Sequence, residues 1–116
     1  MGLLEINLNK DGNCMVVSLN GRLDATSSEK LSNELTESID QGERKIILAC
    51  DDLEYISSAG LRVLLMAVKD LNARAGNLVI ANASSTVRSV IEMTGFQRFL
   101  KLYDSIDIAK GELNLS

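Results

Sequence analysis

The chain opens with alternating apolar and polar residues. Between Leu4 and Leu8 every second residue is apolar, which is the period-two pattern of a strand with one face in water. The turn dipeptide Asp11-Gly12 follows, and the segment from Cys14 to Leu19 is again of strand character. The pattern predicts two strands that pair as an antiparallel hairpin.

A helical pattern comes next. Apolar residues at every fourth position from Leu31 to Ile39 predict an amphipathic helix from about Ser27 to Gln41, which ends at Gly42. Thr26 with Glu29 three residues later fits a capping box at its start.

The middle of the chain repeats the strand-then-helix order. The apolar run from Lys45 to Cys50 predicts a strand buried on both faces. A helix from about Ala59 to Ala75 closes at Gly76 and carries Met66 on its polar face. The segment from Leu78 to Ala81 predicts a further strand.

The C-terminal part completes the pattern. A short helix around Val87 to Ile91 ends at Gly95, a last strand covers Leu100 to Tyr103, and a final helical turn or two covers Ser105 to Lys110. Strands that alternate with helices lie parallel and are joined by right-handed crossovers. We therefore predict one α/β domain over residues 1–116, with a mixed β-sheet, an N-terminal antiparallel hairpin and helices packed against the sheet.

The amino-acid composition excludes several kinds of catalytic and metal-binding site. The 116 residues include no His and only two Cys, so Ser-His-Asp and Cys-His catalysis and a four-ligand zinc site are excluded. The net charge of −4 leaves no basic excess for nucleic acid. Without a signal-peptide pattern or an apolar run near 20 residues, we expect a cytoplasmic protein that does not insert into membranes, with Cys14 and Cys50 reduced and buried.

One segment carries most of the functional information. Residues 51–62 join a strand to the longest helix, a position where ligands and partners tend to meet α/β folds. Asp51, Asp52 and Glu54 are interpreted as a solvated acidic loop, because no other segment supplies metal ligands. Ser57 and Ser58 stand where a helix N-cap belongs, and the simplest role for one of them is that structural cap.

Two residues add a second interpretation of the serine pair. Gly60 permits a close approach of backbone or ligand at the helix start, and the first turn holds Arg62 but no acid. A phosphate on either serine would meet backbone N–H groups, the helix dipole and Arg62. Without His, only Lys or a carboxylate remains to activate a serine nucleophile, and no G-x-S-x-G or S-x-x-K motif surrounds these serines. A phosphate-binding glycine loop is also missing, so we expect neither an enzyme nor a bound cofactor.

Two motifs resemble a known family. GRLD at residues 21–24 and LEYISSAGL at residues 53–61 resemble the bacterial anti-sigma factor antagonists of the STAS domain family. The resemblance implies partner switching: the unphosphorylated antagonist binds an anti-sigma factor with serine kinase activity, and a sigma factor is freed. Phosphorylation by that kinase releases the antagonist, a serine phosphatase restores it, and transcription is regulated indirectly. We expect a monomer when unbound.

The resemblance also assigns residues by position. Ser58 matches the family's phosphorylated serine, and a partner surface is expected at Asp24 and at Ser57, Ser58, Ala59, Gly60, Leu61 and Arg62. Many phosphorylated members have Asp just before that serine, whereas this chain has Ser57. Ser57 therefore stays open as an alternative acceptor. The alternative function is a STAS scaffold that is never switched, in a lipid-transport ABC system or a larger signalling complex.

Overall fold

An antiparallel hairpin begins the fold. The computed structural model describes residues 3–115, with strand β1 at Leu4–Asp11 and strand β2 at Cys14–Leu23. The two strands are joined through Gly12, whose φ of 62° is the left-handed conformation that a tight hairpin turn requires. The predicted hairpin is confirmed, and β2 runs four residues beyond the predicted Leu19.

Parallel strands and helices follow the hairpin. They are α1 (Ser28–Asp40), β3 (Lys45–Ile56), α2 (Ser58–Ala73), β4 (Asn77–Ala81), α3 (Ser85–Thr94), a 3₁₀ helix (Phe96–Arg98), β5 (Leu102–Tyr103) and α4 (Ile106–Asn114). Within residues 3–115 the sheet has the order β1-β2-β3-β4-β5, and every neighbouring pair after the hairpin is parallel. The predicted mixed α/β sheet is confirmed, and the last helix is longer than expected.

The sheet has apolar side chains on both faces. The larger core packs the apolar sides of α1, α2 and α3 on one face, and α4 covers part of the other face through Ala109 and Leu113. Cys50 belongs to the larger core and Cys14 to the smaller one, and both are buried and free, as predicted. Burial, with the charge of Asp51 as a lesser cause, raises the pKa of the Cys50 thiol to about 12, so this thiol stays protonated.

The start of α1 differs from the prediction. Ser27 is the N-cap residue and makes no side-chain capping bond, so the capping box of Thr26 and Glu29 is wrong. The Thr26 hydroxyl instead donates to the Asp24 carboxylate at 2.7 Å, and the Ser27 hydroxyl donates to the carbonyl of Arg22 at 2.7 Å. The hydroxyl groups near the start of α1 therefore form hydrogen bonds within the preceding turn instead of a capping box.

The predicted acidic loop is a strand, although Asp51, Asp52 and Glu54 are exposed to solvent as expected. Residues 51–56 continue strand β3, and Leu53 and Ile56 of this extension are buried in the core. The β2–β3 pairing contains two register shifts, between Ser18 and Asn20 and between Gly21 and Arg22. Such shifts break the period-two alternation that identifies a strand in a sequence, which is why the extension had the appearance of a loop.

None of the helices within residues 3–115 combines the length and the apolar character that a membrane crossing requires.

Candidate functional site

Ser57 is the structural cap of α2. Its hydroxyl oxygen accepts a hydrogen bond from the backbone N–H of Gly60 at 3.2 Å, which satisfies one of the unpaired donors of the first turn. Its own N–H donates to the carbonyl oxygen of Leu23 at 2.9 Å and so ties the start of α2 to the end of β2. Ser57 is half-buried. The structural interpretation of the pair therefore applies to this serine.

Ser58 differs from its neighbour. It is the first residue of α2, its side chain is exposed, and no hydrogen bond within residues 3–115 involves its hydroxyl. The first turn of α2 contains no acidic residue. The geometry therefore leaves one serine hydroxyl occupied and the other accessible.

Gly60 shows why the helix start needs a glycine. It is buried, and a Cβ atom placed there would lie 2.7 Å from Cγ of Leu23 and 3.0 Å from the Leu23 carbonyl oxygen. The expected close approach is therefore present, and the group that approaches is β2 of the same chain rather than a ligand.

The remaining predicted residues of the segment divide between core and surface. Leu61 is only 1% exposed and belongs to the larger core, Ala59 is half-buried, and Arg62 is exposed. Ser58, Leu61 and Arg62 nevertheless line one groove of about 210 Å³. The other lining residues, which the sequence did not indicate, are Leu65, Thr94 and Phe96.

Asp24 organises the turn between β2 and α1. Its Oδ1 atom accepts hydrogen bonds from the N–H and hydroxyl of Thr26 and from the N–H of Ser27, at 2.7–3.2 Å. The Thr26 hydroxyl, followed by the N–H groups of Ser27 and Thr26, lowers the pKa of the Asp24 carboxyl. Because the neighbouring Leu23 accepts the Ser57 N–H, this turn lies beside the start of α2.

The lowered pKa predicts a pH-dependent effect of Asp24→Asn. A carboxyl whose pKa is lower in the folded than in the unfolded chain stabilises the fold above its ordinary pKa of about 4. That contribution is lost as the pH falls through the folded-state pKa. We expect Asp24→Asn to lower the Tm at pH 7, and the difference from the wild type to shrink below about pH 4. Thermal unfolding followed by circular dichroism measures both.

Asp52→Asn is the matched control. Asp52 is exposed and its carboxylate makes no hydrogen bond within residues 3–115, so this variant should match the wild-type Tm at both pH values. A Tm difference for Asp24→Asn that is as large at pH 3 as at pH 7 would contradict the assigned role of the charge.

The acidic residues of β3 do not assemble a metal site. Asp51 accepts a hydrogen bond from the side-chain amide of Asn82 at 3.2 Å. In the part of the chain that the structure describes, no three or more Cys, Asp or Glu side chains are grouped as ligands for a metal ion.

The fold is that of a small α/β domain, and comparison with known proteins identifies the family. The STAS domain family model matches residues 5–109, and the chain belongs to this family. Within it the chain groups with the anti-sigma factor antagonists, which are generally regulatory proteins without enzymatic activity.

Two relatives illustrate the similarity in sequence. BtrV of Bordetella bronchiseptica, which bears the name of an anti-sigma factor antagonist, is 34% identical over 106 residues, or 91% of each chain. The anti-sigma F factor antagonist of Paenibacillus polymyxa is 26% identical over 113 residues, or 97% of each chain.

Solved structures share the fold. An anti-sigma factor antagonist from Thermotoga maritima superposes with a TM-score of 0.89 at 22% identity, covering 94% of each chain. Unphosphorylated SpoIIAA, an anti-sigma factor antagonist, gives a TM-score of 0.83 at 24% identity over 97% of this chain and 98% of its own. The phosphorylated form of SpoIIAA from Bacillus gives 0.72 at 24% identity over 93% and 98%.

Proposed function

We propose that this protein is a phosphorylation-controlled anti-sigma factor antagonist. In its unphosphorylated form it binds an anti-sigma factor with serine kinase activity, and phosphorylation of Ser58 by that kinase releases it. A serine phosphatase reverses the modification, and transcription is regulated indirectly through the freed sigma factor. The observation that carries the proposal is the exposed Ser58 hydroxyl, without a hydrogen bond in residues 3–115, at the start of α2.

The surroundings of Ser58 suit a phosphate. Phosphorylation adds a charge of about −1.5 to −2, and the start of α2 offers unpaired backbone N–H groups and the positive end of the helix dipole. Arg62 lies four residues further along, on the same side of the helix, and lines the same groove as Ser58. A phosphate at Ser58 would thus be accommodated without a change of fold, because the serine side chain is exposed.

Ser58 is the better acceptor of the two serines. The Ser57 hydroxyl accepts the Gly60 N–H, and Ser57 is half-buried against the end of β2. A kinase would have to break the cap to reach it. The capping role also explains how Ser57 replaces the Asp of many relatives, since both residue types supply the oxygen that an N-cap requires.

The family relatives support the switch. BtrV and the Paenibacillus polymyxa relative are named as anti-sigma factor antagonists, and SpoIIAA has been solved with and without phosphate. For the present chain we infer the same kind of partner, an anti-sigma factor. The proposed partner surface consists of the accessible residues of the predicted set, which are Asp24, Ser57, Ser58, Ala59 and Arg62, whereas Gly60 and Leu61 are buried beneath it.

Phosphate transfer tests this function directly. We expect incubation with ATP and the anti-sigma factor kinase of the same organism to add one phosphate to the wild type, located at Ser58 by peptide mass spectrometry. Ser58→Ala should accept none, and Ser57→Ala should still be phosphorylated despite the lost cap. Phosphate on Ser58→Ala but not on Ser57→Ala would move the acceptor to Ser57. A wild type that binds a transporter ATPase and takes up no phosphate would favour the scaffold function.

A further inference from the structure

The groove beside Ser58 has the size of a side-chain pocket. We refer to the surface lined by Ser58, Leu61, Arg62, Leu65, Thr94 and Phe96 as the α2–α3 groove. Its volume of about 210 Å³ lies below the roughly 300–1,000 Å³ of typical small-molecule sites. A protruding side chain of a protein partner fits such a groove better than a cofactor does.

The groove is apolar inside. Leu61 is buried beneath it, whereas Leu65 and Phe96 are only partly covered and so retain apolar surface that a partner would remove from water. The chain next to Phe96 adds two exposed apolar residues, Met93 at 86% and Phe99 at 58%. Apolar surface of this kind, next to polar residues, is typical of protein contact sites.

The charge at the groove is positive. Arg62 is the one charged residue among the six that line it, and it has no ion-pair partner within residues 3–115. Arg74 and Arg88, two other cations of this part of the chain, are paired with Asp70 at 2.9 Å and with Asp104 at 3.6 Å. The exposed and unpaired Arg62 therefore complements a carboxylate of the partner.

From these features we propose that the α2–α3 groove binds an acidic, amphipathic segment of the protein partner, with an apolar side chain between Leu65 and Phe96 and a carboxylate on Arg62. The inference rests on the proposed function, since the partner is the anti-sigma factor. It adds a consequence for the switch. Because Ser58 and Arg62 face the same groove, a phosphate on Ser58 has two effects on the partner's carboxylate. It forms an ion pair with the Arg62 guanidinium in place of that carboxylate, and it repels the carboxylate.

The test uses designed peptides, so that it does not depend on purifying the partner. Two helical peptides of about four turns carry the same Leu and Phe positions on one face. The positions that flank this face carry Glu in one peptide and Lys in its twin, so that they can reach Arg62 when the apolar face is in the groove. Each is titrated into the ¹⁵N-labelled full chain. We expect the acidic peptide to shift the amide resonances of residues 58–65 and 94–97, and the basic twin to leave them unchanged.

Charge-reversal variants locate the contact. Arg62→Glu should weaken acidic-peptide binding about tenfold, as expected for the loss of a charge-assisted contact. Lys69→Glu is the matched control, because Lys69 is an exposed cation of the same helix that does not line the groove. The affinity of this variant for the acidic peptide should stay within about twofold of the wild-type affinity. An acid near a helix N-terminus is favourable, so Arg62→Glu should fold.

The outcomes separate this inference from the proposed function. Equal shifts with both peptides, no shift with either, or equal losses for the two variants overturn the groove assignment. If Ser58 is nevertheless phosphorylated by the kinase, the proposed function stands without it. If the acidic peptide binds as expected but Ser58 takes up no phosphate, the groove stands and the switch does not.

Discussion

Phosphorylation of Ser58 is expected to weaken binding of the anti-sigma factor several-hundred-fold. Ser58 is uncharged and exposed at the start of α2, so an interface closes over its hydroxyl at little cost. A phosphate at the same place must lose water in the interface and would be repelled by the partner carboxylate proposed above. A penalty of about 3–4 kcal/mol corresponds to that loss of affinity. Calorimetric titration of the anti-sigma factor with fully phosphorylated and unmodified chain measures the ratio.

Two variants separate charge from shape at this position. Ser58→Asp carries one charge and should fall between the phosphorylated and the unmodified chain in affinity, whereas Ser58→Asn, nearly the same size but neutral, should stay close to the wild type. Both should keep the wild-type circular dichroism spectrum, because the Ser58 side chain is exposed and makes no hydrogen bond within residues 3–115. Equal affinities for phosphorylated and unmodified chain would refute the electrostatic switch.

Gly60→Ala should lower the free energy of unfolding by about 2 kcal/mol, as overpacking of a well-packed contact does. The added methyl group would lie 2.7 Å from Leu23 Cγ and 3.0 Å from the Leu23 carbonyl oxygen, and the backbone oxygen has little freedom to move. The start of α2 would be pushed from the end of β2, and the hydrogen bond from Ser57 N to Leu23 O would lengthen. Urea denaturation followed by circular dichroism measures the loss.

Gly111→Ala is the opposite case within the same chain. Gly111 lies within α4, is exposed, and has no atom within 4 Å of the position of an added Cβ. Replacing a glycine inside a helix by alanine should raise the free energy of unfolding by about 0.5–1 kcal/mol. If both variants change stability in the same direction, the contact between α2 and β2 is not what requires a glycine at position 60.

The sequence pattern predicted the elements whose signals are local. The hairpin followed from strand alternation around Asp11-Gly12, and the parallel order followed from strands that alternate with helices. The two failures lay at the end of β2 and in the last part of β3. At the end of β2 the Asp24 carboxylate accepts the Thr26 hydroxyl, a local alternative to the capping box that spacing alone does not distinguish. In β3 the register shifts depend on contacts with β2, a segment distant in the chain. Propensity and spacing carry no information about such contacts.

The candidate site was also predictable only where its signals are local in the sequence. A helix start at the serine pair was predictable, but the choice between the two serines was not, because it depends on which hydroxyl receives the Gly60 N–H. The α2–α3 groove was also beyond prediction. Leu65 had the spacing of a core residue, and Phe96 comes from a 3₁₀ helix more than thirty residues further along the chain.

Leu23 connects the two motifs by which the chain resembles its family. Its carbonyl oxygen receives the Ser57 N–H, and its side chain lies where any side chain at position 60 would have to go. Evolutionary substitutions at these two positions are therefore not independent. Among relatives we expect covariation of positions 23 and 60, with a residue larger than glycine at 60 accompanied by a smaller one at 23.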